Sequence, residues 1–274
     1  MSYRQDEDLE FLREMSSEDL NDLVETLVWK NGGKILTGTL SGDSLYKEHY
    51  PDHEKYLDRI MEEIQRFGGN TFANVFRGHG VLYKEIVRDV AKKLKVKYDK
   101  EASTPEIEME IYLKIFSGVV EKMSEEEREK MFLTLRQGVS VSIDKYKSRC
   151  PDDIFQIAKT TMRVVGTAGN IVKLVRFIAA GTASSSMKTT VLQFVANLVC
   201  STLLKHGIIS AGTNLLLTRV ASVLAGPVGL AISGIWTAIS LAGPAHRVTV
   251  PVVIRVAYLR TLSKQGSCDA PDAN

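Results

Sequence analysis

What this sequence withholds is negative charge, and it withholds it in one place. Across residues 154–268, 115 consecutive positions, there is no Asp or Glu, although eleven Lys or Arg are scattered among them. A soluble surface normally interleaves both signs, so a carboxylate-free stretch of this length implies that part of it faces something other than water. Cysteine is scarce as well. Cys150, Cys200 and Cys268 are odd in number, far apart and without CxxC spacing, which argues against a disulfide scaffold or a cysteine zinc site. The opening MSYRQDEDLEFL is acidic and lacks an apolar core, so neither a secretory signal nor a transit peptide is expected and a reducing, cytoplasmic setting follows. Strand-like alternation is missing too, apart from RVTVPVVIRV, where Pro251 argues for a helix start instead.

What is present divides in two. Residues 1–150 hold 24 basic and 29 acidic side chains, a net of −5, whereas residues 151–274 hold 11 and 4, a net of +7. Such asymmetry suggests an anionic partner for the basic half, or contact between the halves. Within the basic half, residues 220–245 form 26 uncharged positions, longer than the roughly 20 that cross a bilayer core. An all-α fold is expected: an acidic N-terminal helical domain followed by an apolar, glycine-rich helical region. The expected segments are a helical hairpin module over 1–30, a helical domain over 44–150, the basic apolar region over 151–262 and a disordered tail over 263–274.

Local signals place the first elements. Residues 6–15 read as a short amphipathic helix with Leu9 and Leu12 on its apolar face. Ser16 with Asp19, Ser103 with Glu106 and Ser124 with Glu127 have the spacing of helix-capping pairs. Pro51 suits the first turn of a helix that runs to Phe67 with Tyr56, Ile60 and Ile64 on one side. A further helix is expected over 81–94, and Ile107, Ile111, Ile115 and Val119 trace one face of another. KKLKVKYDK, at 92–100, reads as a solvated helix end.

Chemistry is harder to find. His49 and His53 lie four apart, but Pro51 separates them and no HExxH pattern is present, so two surface histidines are expected rather than a metal site. Glu62 with Glu63, and the 125–127 cluster, are expected on solvated faces. GGNTFANVFRGHG has neither the order nor the preceding strand of a phosphate loop. Nothing calls for a catalytic residue, a metal or a cofactor, and an enzyme is not expected. Nucleic acid is disfavoured as a partner because the basic strip Arg163, Lys173, Arg176 and Lys188 lacks interleaved aromatics.

The carboxylate gap, the neutral run and the small residues Ala225, Gly229 and Ser233 at four-residue spacing together favour contact with anionic membrane lipid, peripheral or integral. The competing reading is a soluble chaperone or assembly factor with a buried helical core. A pore-forming or self-assembling effector is a third.

GGNTFANVFRGHGVLYKEI at 68–86 and GPVGLAISGIWTAISLAGPAHRVTVPVVIRVAYLR at 226–260 resemble the bacterial YaaW family (UPF0174), as does the opening YRQDEDLEFLREMSSEDLNDLV. The resemblance spans nearly the whole chain. It implies a helical fold and, through a loose grouping with ubiquinol-cytochrome c chaperones, protein handling rather than catalysis; no catalytic residue carries over. Together with the physics it nominates Asn70, Asn74, Arg77 and Tyr83 in the first motif, and Trp236, Arg247 and Arg255 in the second, as residues that meet a protein partner or a lipid headgroup.

Overall fold

The computed structural model describes residues 3–28, 30–31, 34–35, 39–67, 80–129, 175 and 246–266. The chain divides into two compact units, Met1–Ile111 with Ala238–Ser263, and Tyr112–Thr237 with Lys264–Asn274. Each of the expected segments 44–150 and 151–262 therefore contributes to both.

The first unit begins with a 3-10 turn at Glu10–Glu14, shorter than the expected helix, and continues into α1, Ser17–Val28. The capping pair forms: Ser16 Oγ lies 2.7 Å from Asp19 Oδ2 and accepts from Asp19 N–H at 3.2 Å. Leu20, Leu23, Val24 and Leu27 make the buried stripe of α1. A two-stranded ribbon follows, β1 at Lys30–Asn31 against β2 at Lys34–Ile35, antiparallel. Next come α2, Ser44–His49, a 3-10 turn at His53–Tyr56, and α3, Leu57–Phe67. Pro51 thus belongs to the connection before the 3-10 turn, and the α-helix starts later than its position suggests.

Two solvated-face expectations fail in this part of the chain. Glu62 and Glu63 are both buried. Glu63 takes Thr39 N–H at 2.6 Å and Thr39 Oγ–H at 2.8 Å, while Glu62 pairs with Arg59 at 3.0 Å. His53 is also buried, with His49 at the end of a different helix, so the two imidazoles share no face.

Helix α4, Tyr83–Lys93, buries Tyr83, Ile86, Val87, Val90 and Ala91. Helix α5, Thr104–Lys122, begins at its predicted cap, with Ser103 Oγ–H on Glu106 at 2.7 Å, and buries Ile107, Ile111, Ile115 and Val119 as expected. Ser124 and Glu127 form the third capping pair. The last described element, α6, His246–Gly266, contains Pro251 instead of starting at it. Every residue from 248 to 257 is buried, so this part of the helix is enclosed on all sides. The first-unit part of α6 meets Tyr83, Glu108 and Asp22 of the same unit. Among the described residues no helix is long and apolar enough to cross a membrane; the neutral run 220–245 lies outside them.

Candidate functional site

A helix as apolar as α6 that carries arginines must bring an anion to each, because an unpaired buried charge is far more costly than a paired one. Helix α6 has no carboxylate of its own, and the partners of Arg255 and Arg260 come from the first 111 residues. Arg260 Nε donates to Glu108 Oε2 at 2.9 Å and its Nη2 to Glu108 Oε1 at 3.3 Å, a two-pronged pair between α6 and α5. The same Nη2 reaches the Asp8 carbonyl at 2.7 Å, and the Phe11 ring lies 4.3 Å under the guanidinium carbon. One turn earlier, Arg255 Nη1 meets Asp22 Oδ2 of α1 at 2.7 Å. Its Nε, with Asp22 Oδ1 and Thr249 Oγ1, is buried and finds no hydrogen-bond partner among the described residues.

Around the Arg260 pair the N-terminal segment is stitched to three helices. Asp8 Oδ2 accepts from Thr104 Oγ at 2.6 Å at the start of α5. Asp6 Oδ2 accepts the Tyr83 backbone N–H at 2.7 Å, satisfying a donor that the start of α4 would otherwise leave unpaired, and also takes Gln65 Nε2 at 3.2 Å. Gln65 in turn exchanges two bonds with the Arg4 backbone, 3.1 Å in and 2.8 Å out. Gly80 runs so close to this side chain that a Cβ on it would sit 2.6 Å from Gln65 Cβ; only glycine fits there.

Burial sets the electrostatics. It pushes the Glu108 carboxyl upward, opposed by the Arg260 charge beside it. Burial works against the Arg260 charge, and Glu108 more than offsets it, so the guanidinium stays protonated. Tyr83 is driven well above an ordinary phenol, first by burial and then by the Glu108 charge; its hydroxyl makes a long 3.5 Å bond to the Val253 carbonyl of α6.

A second polar chain runs through the α1–α3 corner. The Tyr56 hydroxyl meets His53 Nδ1, His53 Nε2 lies 3.2 Å from Asn21 Oδ1, and Asn21 Nδ2 donates to Glu25 Oε1 at 3.3 Å. With the acceptor oxygen of Asn21 on Nε2, the imidazole is the Nε2–H tautomer. Burial holds His53 below the usual histidine range, against the pull of Asp52. Tyr46 packs 5.6 Å from Tyr56 and 5.5 Å from the half-exposed Tyr50.

Of the nominated residues, Tyr83 and Arg255 are both buried in the first unit. Asn70, Asn74, Arg77 and Trp236 lie outside the described residues; Arg247 is helical, with its side chain outside them. The polar centre itself, Asp6, Asp8, Gln65, Glu108 and Arg260, lies outside the residues that the sequence motifs single out. Its signal was the isolation of Arg260 in a carboxylate-free helix. What the arrangement does chemically is fasten: two guanidinium–carboxylate pairs tie α6 to α1 and α5. Among the described residues no group of three His, Cys, Asp or Glu side chains is placed to hold a metal ion.

Comparison with known proteins bears on the whole length. A family profile described as "Domain of unknown function (DUF3944)" matches residues 3–35, the segment that supplies Asp6, Asp8, Phe11 and Asp22. A UPF0174 protein of Helicobacter pylori strain J99 is 40% identical over 270 residues, 98% of this chain and 96% of that one. A UPF0174 protein of Helicobacter pylori strain 26695 is 35% identical over 81% of this chain and 95% of its own. UPF0174 protein YaaW of Escherichia coli K12 is 30% identical over 96% of this chain and 97% of its own. No solved structure matches. The expected grouping with ubiquinol-cytochrome c chaperones finds no support in these matches.

Proposed function

The chain belongs to the UPF0174 family, and on that premise we propose that it is a non-enzymatic helical protein that associates with an anionic membrane through its carboxylate-free region and engages a protein partner through its first unit. The supporting observation is the way cations are used. The carboxylates of the first unit take up Arg255 and Arg260 of α6. Residues 154–245 still hold seven Lys or Arg and no carboxylate. An anionic lipid surface attracts such a segment by about 1 kcal/mol per cation. The region that meets lipid is accordingly narrowed from 151–262 to the part before α6.

The test is co-sedimentation of the full chain with phosphatidylserine vesicles at low and high salt. Salt-sensitive pelleting is expected; a chain that stays in the supernatant at low salt sinks the reading. A soluble assembly factor with its own core is the second reading, favoured by the complete enclosure of residues 248–257. A soluble monomer with one sharp unfolding transition and no vesicle binding is its signature. Release of trapped dye from the same vesicles would instead select the pore-forming reading.

A further inference from the structure

The run KKLKVKYDK has a backbone that a merely solvated helix end does not need. At the end of α4, Val96 N–H bonds the Ala91 carbonyl at 2.8 Å and Lys95 N–H bonds the Lys92 carbonyl at 3.1 Å. This pair of bonds is the Schellman exit, whose left-handed position is ordinarily glycine. Here it is Lys95, at φ 55°, the only non-glycine residue with positive φ among the described residues. A side chain disfavours that conformation, yet the ammonium it carries is exposed and makes no hydrogen bond or ion pair with any described residue. Among the described residues the lysine that stands in a glycine's place gains no hydrogen bond or ion pair, which turns attention to a partner outside them.

Its neighbours say what kind of outside. Lys92, Lys93, Lys97 and Lys100 are exposed on the same turn and loop, and Leu94, Val96 and Tyr98 stand partly buried between them. Residues 88–101 carry six cations against three carboxylates. One of those carboxylates, Asp99, is turned back on the chain, accepting Glu101 N–H at 2.9 Å, and Arg88 closes the loop on the Lys100 carbonyl at 3.4 Å. We propose that the loop at 92–100 docks on an anionic bilayer surface, with the lysines among the headgroups and Leu94, Val96 and Tyr98 at the interface. The proposal builds on the membrane reading above but assigns a lipid contact to residues 92–100, where that reading has none.

Two features favour lipid over nucleic acid. Lysine is a compact point charge suited to a diffuse field, without the two-pronged reach of arginine for a defined phosphate. The interleaved residues are two aliphatic side chains and one tyrosine, the mixture that settles at a membrane interface, where single-stranded nucleic acid would require stacked aromatics.

The experiment is sedimentation of the full chain with phosphatidylserine–phosphatidylcholine vesicles at low salt. Each lysine contributes about fivefold in affinity, so Lys95→Gln with Lys97→Gln is expected to weaken binding about 25-fold. Lys95→Gly separates function from structure: it relieves the left-handed backbone, so the melting temperature should rise while vesicle binding falls about fivefold. Wild-type binding that the double variant leaves unchanged overturns the loop assignment and spares the membrane reading. No wild-type binding at all overturns both. Loop-dependent retention on single-stranded RNA with no vesicle binding overturns lipid as the occupant.

Discussion

Helix α6 and the loop after α4 are both cationic and both interleaved with aliphatic residues, yet they end in opposite environments. In α6, Arg255 and Arg260 lie among valines and each meets a carboxylate brought from the first 111 residues. In the loop, Lys92, Lys93, Lys95, Lys97 and Lys100 are exposed, and they have no such partner among the described residues. Local composition would have exchanged them, sending the greasy helix to lipid and leaving the lysine run to water. The difference teaches that the role of a cation is decided by whether a distant segment of the same chain brings an anion to it.

The comparison can be broken at its strongest point first. Arg260→Ala leaves Glu108 buried and unpaired, and should cost about 3–5 kcal/mol in urea unfolding. Lys97→Ala, by contrast, should leave the melting temperature where it was. Replacing both partners, Arg260→Met with Glu108→Leu, should recover most of the loss; if it does not, the pair does more than neutralise itself.

His53 offers a smaller effect with a pH signature. His53→Leu removes the partner of the buried Tyr56 hydroxyl, for about 1–3 kcal/mol at neutral pH. Because burial lowers the folded-state pKa of His53, the unfolded chain binds the proton more readily. Its stabilising contribution is therefore present above about pH 6.5 and is lost as pH falls below that value. The variant should flatten this acid-side decline, and an unchanged slope would remove His53 from the account. Gly80→Ala forces a shift against Gln65 worth about 1–3 kcal/mol, read as a lower melting temperature. Ser103→Ala, loss of one cap at the start of α5, should cost about 1 kcal/mol.

Legibility in the sequence followed the distance over which each interaction acts. The pairs Ser16–Asp19, Ser103–Glu106 and Ser124–Glu127 were readable because three residues separate the partners, and the face Ile107, Ile111, Ile115, Val119 because helical period alone defines it. Arg260 and Glu108 are 152 positions apart. A charge pattern carries no register that would match one to the other, so only the need for some anion could be read. Glu62, Glu63 and His53 were misread for a related reason: each looks solvent-seeking by residue type, and each is buried by bonds to Thr39, Arg59, Tyr56 or Asn21 that no spacing announces. Tyr83 belongs to a recognisable motif, but its burial against α6 depends on a helix far along the chain.

The enclosure of α6 has a consequence for how the molecule is made. A ribosome delivers residues 1–111 long before residues 246–266, and at about 5–20 residues per second the wait is on the order of ten seconds or more. Throughout that interval Asp22 and Glu108 face an unfilled seat. The nascent chain must therefore be shielded or tolerated while open, and any product truncated before α6 would remain a half-closed clasp, a natural substrate for cellular quality control.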